Sequence, residues 1–422
     1  MEIRKIPRAR GEITVPGDKS ISHRAVMLGA LCRGKTRISG FLMGADCLST
    51  ISCFRAMGAE IQEAAGTVTV SGRGLHGLRR PEKALYTGNS GTTTRLLCGL
   101  LAGQAFDTAI TGDASVCRRP MGRVTRPLGE MGAKIQGEYC PLRITGTALA
   151  GIDYAMPVAS AQVKSAIILA GLYAQGVTVV REREKSRDHT ERMLAAMGAD
   201  VRTDGLAVTV SPGRELTAPG EIAVPGDISS AAFFLVLGSI LPDSEITVRS
   251  VGMNPTRTGI IDVLEAMGAD LTVENLRTQG GEPAADITVR SAALRGTEIG
   301  GAMIPRLIDE LPVLAVAAAF AEGTTVIRDA GELKVKETNR IRAVTDEFLK
   351  CGADIAETAD GMIIRGGRPL HGARFQTYGD HRMAMSLAVL AQLAQGNSSL
   401  DDPGCVSVSY PGFFADLDQL GR

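Results

Sequence analysis

No excess of either charge runs through this chain. Its 46 Lys and Arg balance its 46 Asp and Glu, for a formal net charge of zero. That excludes a global electrostatic pull toward nucleic acid or a membrane surface, and any anion binding must rest on a local cluster of bases. Long apolar runs are missing too. The longest, AAFFLVL (231–237) and LAVAAAFA (314–321), are too short to span a bilayer and read as buried core helices. The eight Cys form no C-x-x-C pair, which argues against a structural metal. A disulfide framework is not expected in a chain of this size without a secretory signal. The start, MEIRKIPRARG, is charged and has no apolar h-region, so no signal peptide is read and a cytoplasmic location is expected. Trp is absent and aromatics make up 4%. What is abundant instead is Gly, 50 of 422 residues, as in α/β proteins with tight turns and close backbone approaches. The length suggests two or three domains.

One pattern recurs: AMGAE (56–60), EMGAK (130–134), AMGAD (196–200), AMGAD (266–270) and KCGAD (350–354), roughly 65–85 residues apart. Each follows a stretch with helical apolar spacing, such as CLSTISCFRAM, TERMLAAM or TGIIDVLEAM. Each Gly falls where a helix should end, because Gly takes the left-handed C′ conformation cheaply. Alternating segments then read as strands: TVTVSG, AVTVSP, DITVRS and MIIRGG. A second echo pairs EITVPGDKSIS (12–22) with EIAVPGDISSA (221–231). The pattern predicts two similar α/β lobes of about three repeats each: residues 16–225, and residues 1–15 together with 226–422. The strand before the first VPGD then belongs to the C-terminal lobe.

GALCRGKT (29–36) fits the P-loop pattern but stands in the wrong order, with a helix before it and a strand after it. A P-loop needs a helix N-terminus facing the phosphates. Gly34 reads instead as a helix C-cap.

Five segments put bases and small polar groups where helices should begin. In GDKSISHR, Lys19, Ser20, Ser22 and Arg24 follow a Pro-Gly turn, where free amides already favour anions; Ser20 or Ser22 also reads as an N-cap. In TGNSGTTTR, Asn89 can hydrogen-bond a ligand and Gly91 lets it approach the backbone. GDASVCRRPM brings Arg118 and Arg119 to a helix start, as expected for a carboxylate or phosphate partner. LIDELP places Asp309 and Glu310 before an apolar helix, and KVKETNR spaces Lys336, Glu337 and Arg340 as on a helical turn. Read for chemistry, this is a carboxylate kept among bases for proton transfer. YGDHRMAM leads His381 and Arg382 into a helix, where an anion contact is favoured over a metal. Bases from both lobes would have to face one cleft that closes on anionic substrates.

KSISHR, GNSGTTTR, DASVCRRPMGRV, ASAQVKSA, SRDHTERML, VPGDISSAA, NPTRTGIID, LIDELP, KVKETNR and GDHRMAMS occur in order over essentially the whole chain. In these motifs the sequence resembles the 5-enolpyruvylshikimate-3-phosphate synthase family of enolpyruvyl transferases. The resemblance implies two lobes, each of three βαβαββ units in an inside-out α/β barrel, with the active site in the interdomain cleft. It implies no metal or organic cofactor, a monomer, a place in the shikimate pathway of aromatic amino-acid biosynthesis, and glyphosate as an inhibitor. The implied reaction moves the enolpyruvyl group of phosphoenolpyruvate to the 5-hydroxyl of shikimate 3-phosphate. By motif, shikimate 3-phosphate would meet Lys19, Ser20, Arg24, Ser160, Gln162, Arg187, Asp309 and Lys336. Phosphoenolpyruvate would meet Lys19, Asn89, Gly91, Arg119, Gln162, Glu337, Arg340, His381 and Arg382. Lys19, Asp309 and Glu337 are the expected catalytic groups, with Asp309 as base for the hydroxyl. Two positions depart from some relatives of the family: Ala161 stands where a second Ser is found, and Val408 where a Lys is found.

The nearest rival is the transferase acting on UDP-N-acetylglucosamine. It normally begins with Lys-Asn, where this chain has Lys19-Ser20, and carries a reactive loop Cys; Cys117 lies outside that motif. An RNA 3′-phosphate cyclase would need ATP, and a non-catalytic repeat scaffold leaves the clustered bases without a purpose.

Overall fold

The computed structural model describes residues 1–64, 66–279 and 281–422. The chain folds into two compact units. The first is Gly17–Val224 with Thr278–Glu282; the second is Met1–Pro16, Pro225–Arg277 and Pro283–Arg422.

The five Met-Gly-Ala or Cys-Gly-Ala segments end five helices in one way. Helices Ala45–Ala56, Gly122–Glu130, His189–Ala196, Gly259–Ala266 and Arg340–Lys350 are each followed by a cap residue and then a Gly with φ between +81° and +92°. The next residue's amide reaches back five positions: Ala59 to Phe54, Ala133 to Leu128, Ala199 to Leu194, Ala269 to Leu264 and Ala353 to Phe348, at 2.9–3.2 Å. This is the Schellman arrangement, which satisfies a carbonyl the helix end would leave bare. Each of the five accepting residues is fully buried, so the turn is also seated in the core.

Each such helix feeds a hairpin that completes a four-stranded sheet. In the first unit, Glu221–Ala223 runs parallel to Arg33–Ser39, which pairs antiparallel with Thr67–Arg73, itself antiparallel to Glu60–Ala64. The order recurs with Leu85–Tyr86, Thr108–Thr111, Leu142–Thr145 and Lys134–Gln136, and again with Asp153–Ala155, Thr178–Arg181, Ala207–Ser211 and Asp200–Asp204. In the second unit it recurs with Arg10–Thr14, Glu245–Gly252, Glu282–Arg290 and Asp270–Gln279, then with Glu298–Ile299, Thr324–Ile327, Met362–Arg365 and Asp354–Glu357. A sixth repeat keeps the parallel pair Arg374–Phe375 and Ser399–Leu400 around helix His381–Leu393, and helix Phe413–Leu420 follows where the other repeats place a hairpin. That is why the Gly signature occurs five times. The two VPGD segments carry the exchanged first strands: Arg10–Thr14 pairs with Glu245–Gly252, and Glu221–Ala223 with Arg33–Ser39.

Helices that are apolar all round must be enclosed. Ile228–Ile240, Leu311–Phe320 and His381–Leu393 are buried over nearly their whole length and pack on one another in the second unit. Lys19–Leu31, Gly91–Ala102 and Ala161–Gly171 play this part in the first. At the crossing of the last two, a Cβ on Gly99 would lie 2.0 Å from the Ala166 carbonyl, so only Gly permits that approach. No helix among the described residues is long and apolar enough to cross a membrane, and all eight Cys are free thiols.

Two local expectations are corrected. Gly34 is not a helix C-cap: helix Lys19–Leu31 has already ended at Cys32, which is extended, and Gly34 sits in the following strand with φ +110°. The cap of that same helix is neither Ser20 nor Ser22 but Asp18, whose carboxylate accepts from the Ile21 amide at 2.9 Å. Ser22 instead turns its hydroxyl to the Leu42 amide.

Candidate active site

In the first unit the candidate side chains cluster at three helix starts. Ser90 caps helix Gly91–Ala102, accepting from the Thr93 amide at 3.1 Å. That places Gly91 at the first turn, and two guanidinium groups flank it. A Cβ there would stand 3.0 Å from Arg95 Nη1 and 3.1 Å from Arg119 Nη1. Arg119 donates to Asn89 Oδ1 at 2.7 Å and to Ser115 Oγ at 3.0 Å. Arg95 donates to Gln162 Oε1 at 2.5 Å, and Gln162 donates onward to Thr92 at 3.0 Å. Asn89, Gly91, Arg119 and Gln162 are therefore brought together, with Arg95 among them. Sequence reasoning missed Arg95, although it stands at the end of GNSGTTTR four residues after Gly91, the spacing that returns a side chain to the same helix face. Two cations over the bare backbone of a helix N-terminus make a strong place for a phosphate or carboxylate.

Beside it, Ser160 caps helix Ala161–Gly171, and Lys19 opens helix Lys19–Leu31 with its ammonium on Asp46. Arg24, one turn further, is 4% exposed. It donates to Thr190 Oγ1 (2.6 Å), Ser165 Oγ (2.8 Å) and the Ser20 carbonyl (3.0 Å). Burial lowers its pKa to about 10, with Glu191 and Asp18 pulling the other way. Below Arg24 lies an ion cluster not anticipated from the sequence: Lys164, fully buried, holds Glu182 at 2.9 Å and Glu191 at 2.7 Å. It ties helix Ala161–Gly171 to helix His189–Ala196 at the level where Ser165 meets Thr190. Arg187, predicted as a phosphate contact, lies in the segment leading into the latter helix and is close enough to Arg24 to act on its charge. Cys117 ends a four-residue helix, its thiol on the Gly112 carbonyl at 3.5 Å.

In the second unit one side chain organises the rest. Arg340 is 1% exposed and directs its donors to three carboxylates: Asp380 (2.8 and 3.2 Å), Glu337 (2.6 Å) and Asp309 (3.3 Å). Burial would lower its pKa, but Asp380, Glu337 and Asp309 outweigh burial and raise it, so Arg340 is a permanent cation. Asp309 also meets Lys336 at 3.2 Å and Arg382 at 3.9 Å. Asp380 caps helix His381–Leu393 through the Arg382 amide at 2.9 Å. Asp309, Lys336, Glu337, Arg340 and Arg382 thus form one charge cluster, with His381 adjacent in the chain. The expected helical turn over Lys336–Arg340 is not formed. A 3-10 helix ends at Val335, Lys336 is extended, and the α-helix begins at Arg340 behind the Asn339 cap. The pairing of Glu337 with Arg340 survives because tertiary partners fix Arg340. Glu310 turns away from Asp309, into a buried set with Ser229 and Arg257; Arg257 also holds Asp227 at 3.0 Å. Both acids of LIDELP therefore have cationic or hydroxyl partners. In this cluster Asp380 was the residue the sequence did not flag. Its signal was its place one residue before His381 and two before Arg382, at an N-cap.

The repeats of helix and four-stranded sheet define a mixed α/β class of protein, and the cations gathered at helix starts in each unit are of the kind that holds small anions. Comparison with known proteins identifies the family. The EPSP synthase (3-phosphoshikimate 1-carboxyvinyltransferase) family model matches residues 3–417, and the chain belongs to that family. It is 60% identical over 417 residues to the 3-phosphoshikimate 1-carboxyvinyltransferase of Geobacillus kaustophilus, covering 97% of both chains. It is 57% identical over 416 residues to an enzyme of that name from Bacillus cereus, covering 98% of this chain and 97% of that one. A solved EPSP synthase from Acinetobacter baumannii superposes with a TM-score of 0.90 at 46% identity, over 100% of this chain and 98% of that one. The enolpyruvyl transferase NikO from Streptomyces tendae, at 19% identity and a TM-score of 0.82, shares the fold over 100% of this chain and 97% of that one.

Proposed function

We propose that the protein transfers the enolpyruvyl group of phosphoenolpyruvate to the 5-hydroxyl of shikimate 3-phosphate, releasing phosphate. The observation that carries this reading is the pair of guanidiniums over Gly91, in a chain of this family. The C2 of an enol phosphate is a poor electrophile until its neighbour is protonated, so the reaction needs an acid at C3 and a base at the hydroxyl. Glu337 and Lys19 carry the proton transfers to and from C3. Asp309, held among Lys336, Arg340 and Arg382, takes the proton of the 5-hydroxyl as its oxygen bonds to C2. The tetrahedral ketal then loses the C3 proton while the C2–O bond to phosphate breaks, giving the enol ether and inorganic phosphate.

Asn89, Gly91, Arg119, Gln162, Glu337, Arg340, His381 and Arg382 serve phosphoenolpyruvate, joined by Arg95, and Lys19 meets both substrates. Ser20, Arg24, Ser160, Gln162, Arg187, Asp309 and Lys336 serve shikimate 3-phosphate. The cations neutralise and orient, which is mainly a positioning effect. Val408 ends a 3-10 helix and offers no cation, so phosphoenolpyruvate leans on Arg119, Arg340 and Arg382. Ala161 likewise offers no hydroxyl beside Ser160. Glyphosate is expected to compete with phosphoenolpyruvate, and a monomer in the cytoplasm is the working state. The two divisions of the chain proposed from sequence, 16–225 and the remainder, serve as its two functional bodies.

The test is phosphate release with phosphoenolpyruvate and each acceptor in turn. Release with shikimate 3-phosphate and none with UDP-N-acetylglucosamine is expected; the reverse would overturn the proposal. Asp309→Ala and Glu337→Gln should each lose most turnover, and near-normal rates in both would refute the catalytic assignment.

A further inference from the structure

The segment 376–380 leads into the Asp380 cap, and its backbone is strained. Tyr378 has φ +56° and Gly379 φ +65°. Left-handed backbone is ordinary for Gly but costly for a bulky side chain, and it persists only where the surroundings over-determine it. Three carboxylates do so here. Glu347, fully buried, accepts from the Gln376 amide at 3.0 Å and from the Tyr378 hydroxyl at 2.8 Å, while Lys350 balances its charge at 2.7 and 2.8 Å. Asp401 accepts from the Thr377 amide (2.8 Å) and hydroxyl (2.9 Å). Asp380 itself is clamped by Arg340.

Glu347 lies seven residues after Arg340 on helix Arg340–Lys350, two turns along the same face. That helix is therefore stapled to the strained segment at both ends, by Arg340 to Asp380 and by Glu347 to Gln376 and Tyr378. We propose that Glu347 and Tyr378 are positioning residues, which hold the left-handed turn and so fix Asp380 against Arg340 and the Arg382 amide. Tyr378 is 40% exposed, yet its hydroxyl points at a buried carboxylate. Burial and the bond to Glu347 both raise its pKa, so it stays a donor. The turn does for Arg340 and Arg382 what a packed shell does for a metal ligand: it sets direction, leaving the charge unchanged.

This inference rests on the reading that Arg340 and Arg382 serve phosphoenolpyruvate. Tyr378→Phe and Glu347→Gln are assayed for both substrates alongside the wild type, whose turnover tests that reading separately. Tyr378→Phe is expected to raise the phosphoenolpyruvate KM by about fivefold and Glu347→Gln by about tenfold, with the shikimate 3-phosphate KM within about twofold. Because both act through one contact, the double variant should be no worse than Glu347→Gln alone. Unchanged phosphoenolpyruvate KM in Tyr378→Phe, parallel rises for both substrates, or multiplying effects in the double variant would overturn the proposal. Tyr378→Phe removes one hydroxyl from a partly exposed ring and decides the matter alone if Glu347→Gln does not fold. Independently of turnover, amide exchange over 376–382 should quicken in Tyr378→Phe, and unchanged protection would count against it.

Discussion

Replacing Asp380 by Asn should destabilise the protein by about 3 kcal/mol, because it strands a buried cation. Arg340 is 1% exposed, and two of its four hydrogen bonds to carboxylates end on Asp380. Removing one partner of a buried ion pair costs about 3–5 kcal/mol, since the remaining charge keeps its desolvation penalty and loses its compensation. Glu337 and Asp309 still face the guanidinium, which sets the expectation at the low end of that range. Asn is as good an N-cap as Asp, so Asp380→Asn keeps the bond to the Arg382 amide. Asp380→Ala loses the cap as well and should cost about 1 kcal/mol more. Urea unfolding of the full chain measures both, and about 3 kcal/mol corresponds to more than a hundredfold in the unfolding equilibrium. With Arg340 released from its clamp, the phosphoenolpyruvate KM should rise in both variants. An Asp380→Asn protein within about 0.5 kcal/mol of wild type would refute the reasoning, by showing that the other two carboxylates suffice.

Gly91→Ala puts a methyl 3.0–3.1 Å from the ends of Arg95 and Arg119. Both must shift by a few tenths of an ångström, and the phosphoenolpyruvate KM should rise by roughly tenfold with little change for the acceptor; equal effects on both substrates would contradict this placement. His23 is buried, with Nδ1 2.7 Å from Thr50 Oγ1 and no partner for Nε2 among the described residues. Burial lowers its pKa from 6.5 to about 3, with Asp46 opposing and Lys19 and Arg24 reinforcing. The unfolded chain therefore takes up a proton that the folded one refuses, and stability should fall with decreasing pH below the unfolded value, by about 1.4 kcal/mol per pH unit. His23→Gln should flatten the stability curve between about pH 6 and 4 by that slope, and superimposable curves would reject the assignment. Gly198→Ala meets nothing within 4 Å but must adopt φ +89°, so strain alone should cost about 1 kcal/mol in urea unfolding. No loss would mean the helix end relaxes.

The sequence by itself determined the repeat and its punctuation. Gly58, Gly132, Gly198, Gly268 and Gly352 could be read as helix ends because a Schellman turn depends on neighbours within five residues, and all five have positive φ. The apolar runs at 231–237 and 314–321 likewise marked two of the enclosed helices, and the two VPGD segments follow the strands Arg10–Thr14 and Glu221–Ala223. The motifs named most residues of both charge clusters. Tertiary structure alone decided how charges are shared. Arg340 finds Asp380 forty positions away, and Lys164, set in an apolar helix, finds Glu182 and Glu191. It moved the cap of the first helix from Ser20 or Ser22 to Asp18 and put Gly34 in a strand. Helical and strand periods report only which face a residue occupies. A buried ion pair depends on which two faces the fold presses together and on the water it removes from between them, and neither is written in local spacing.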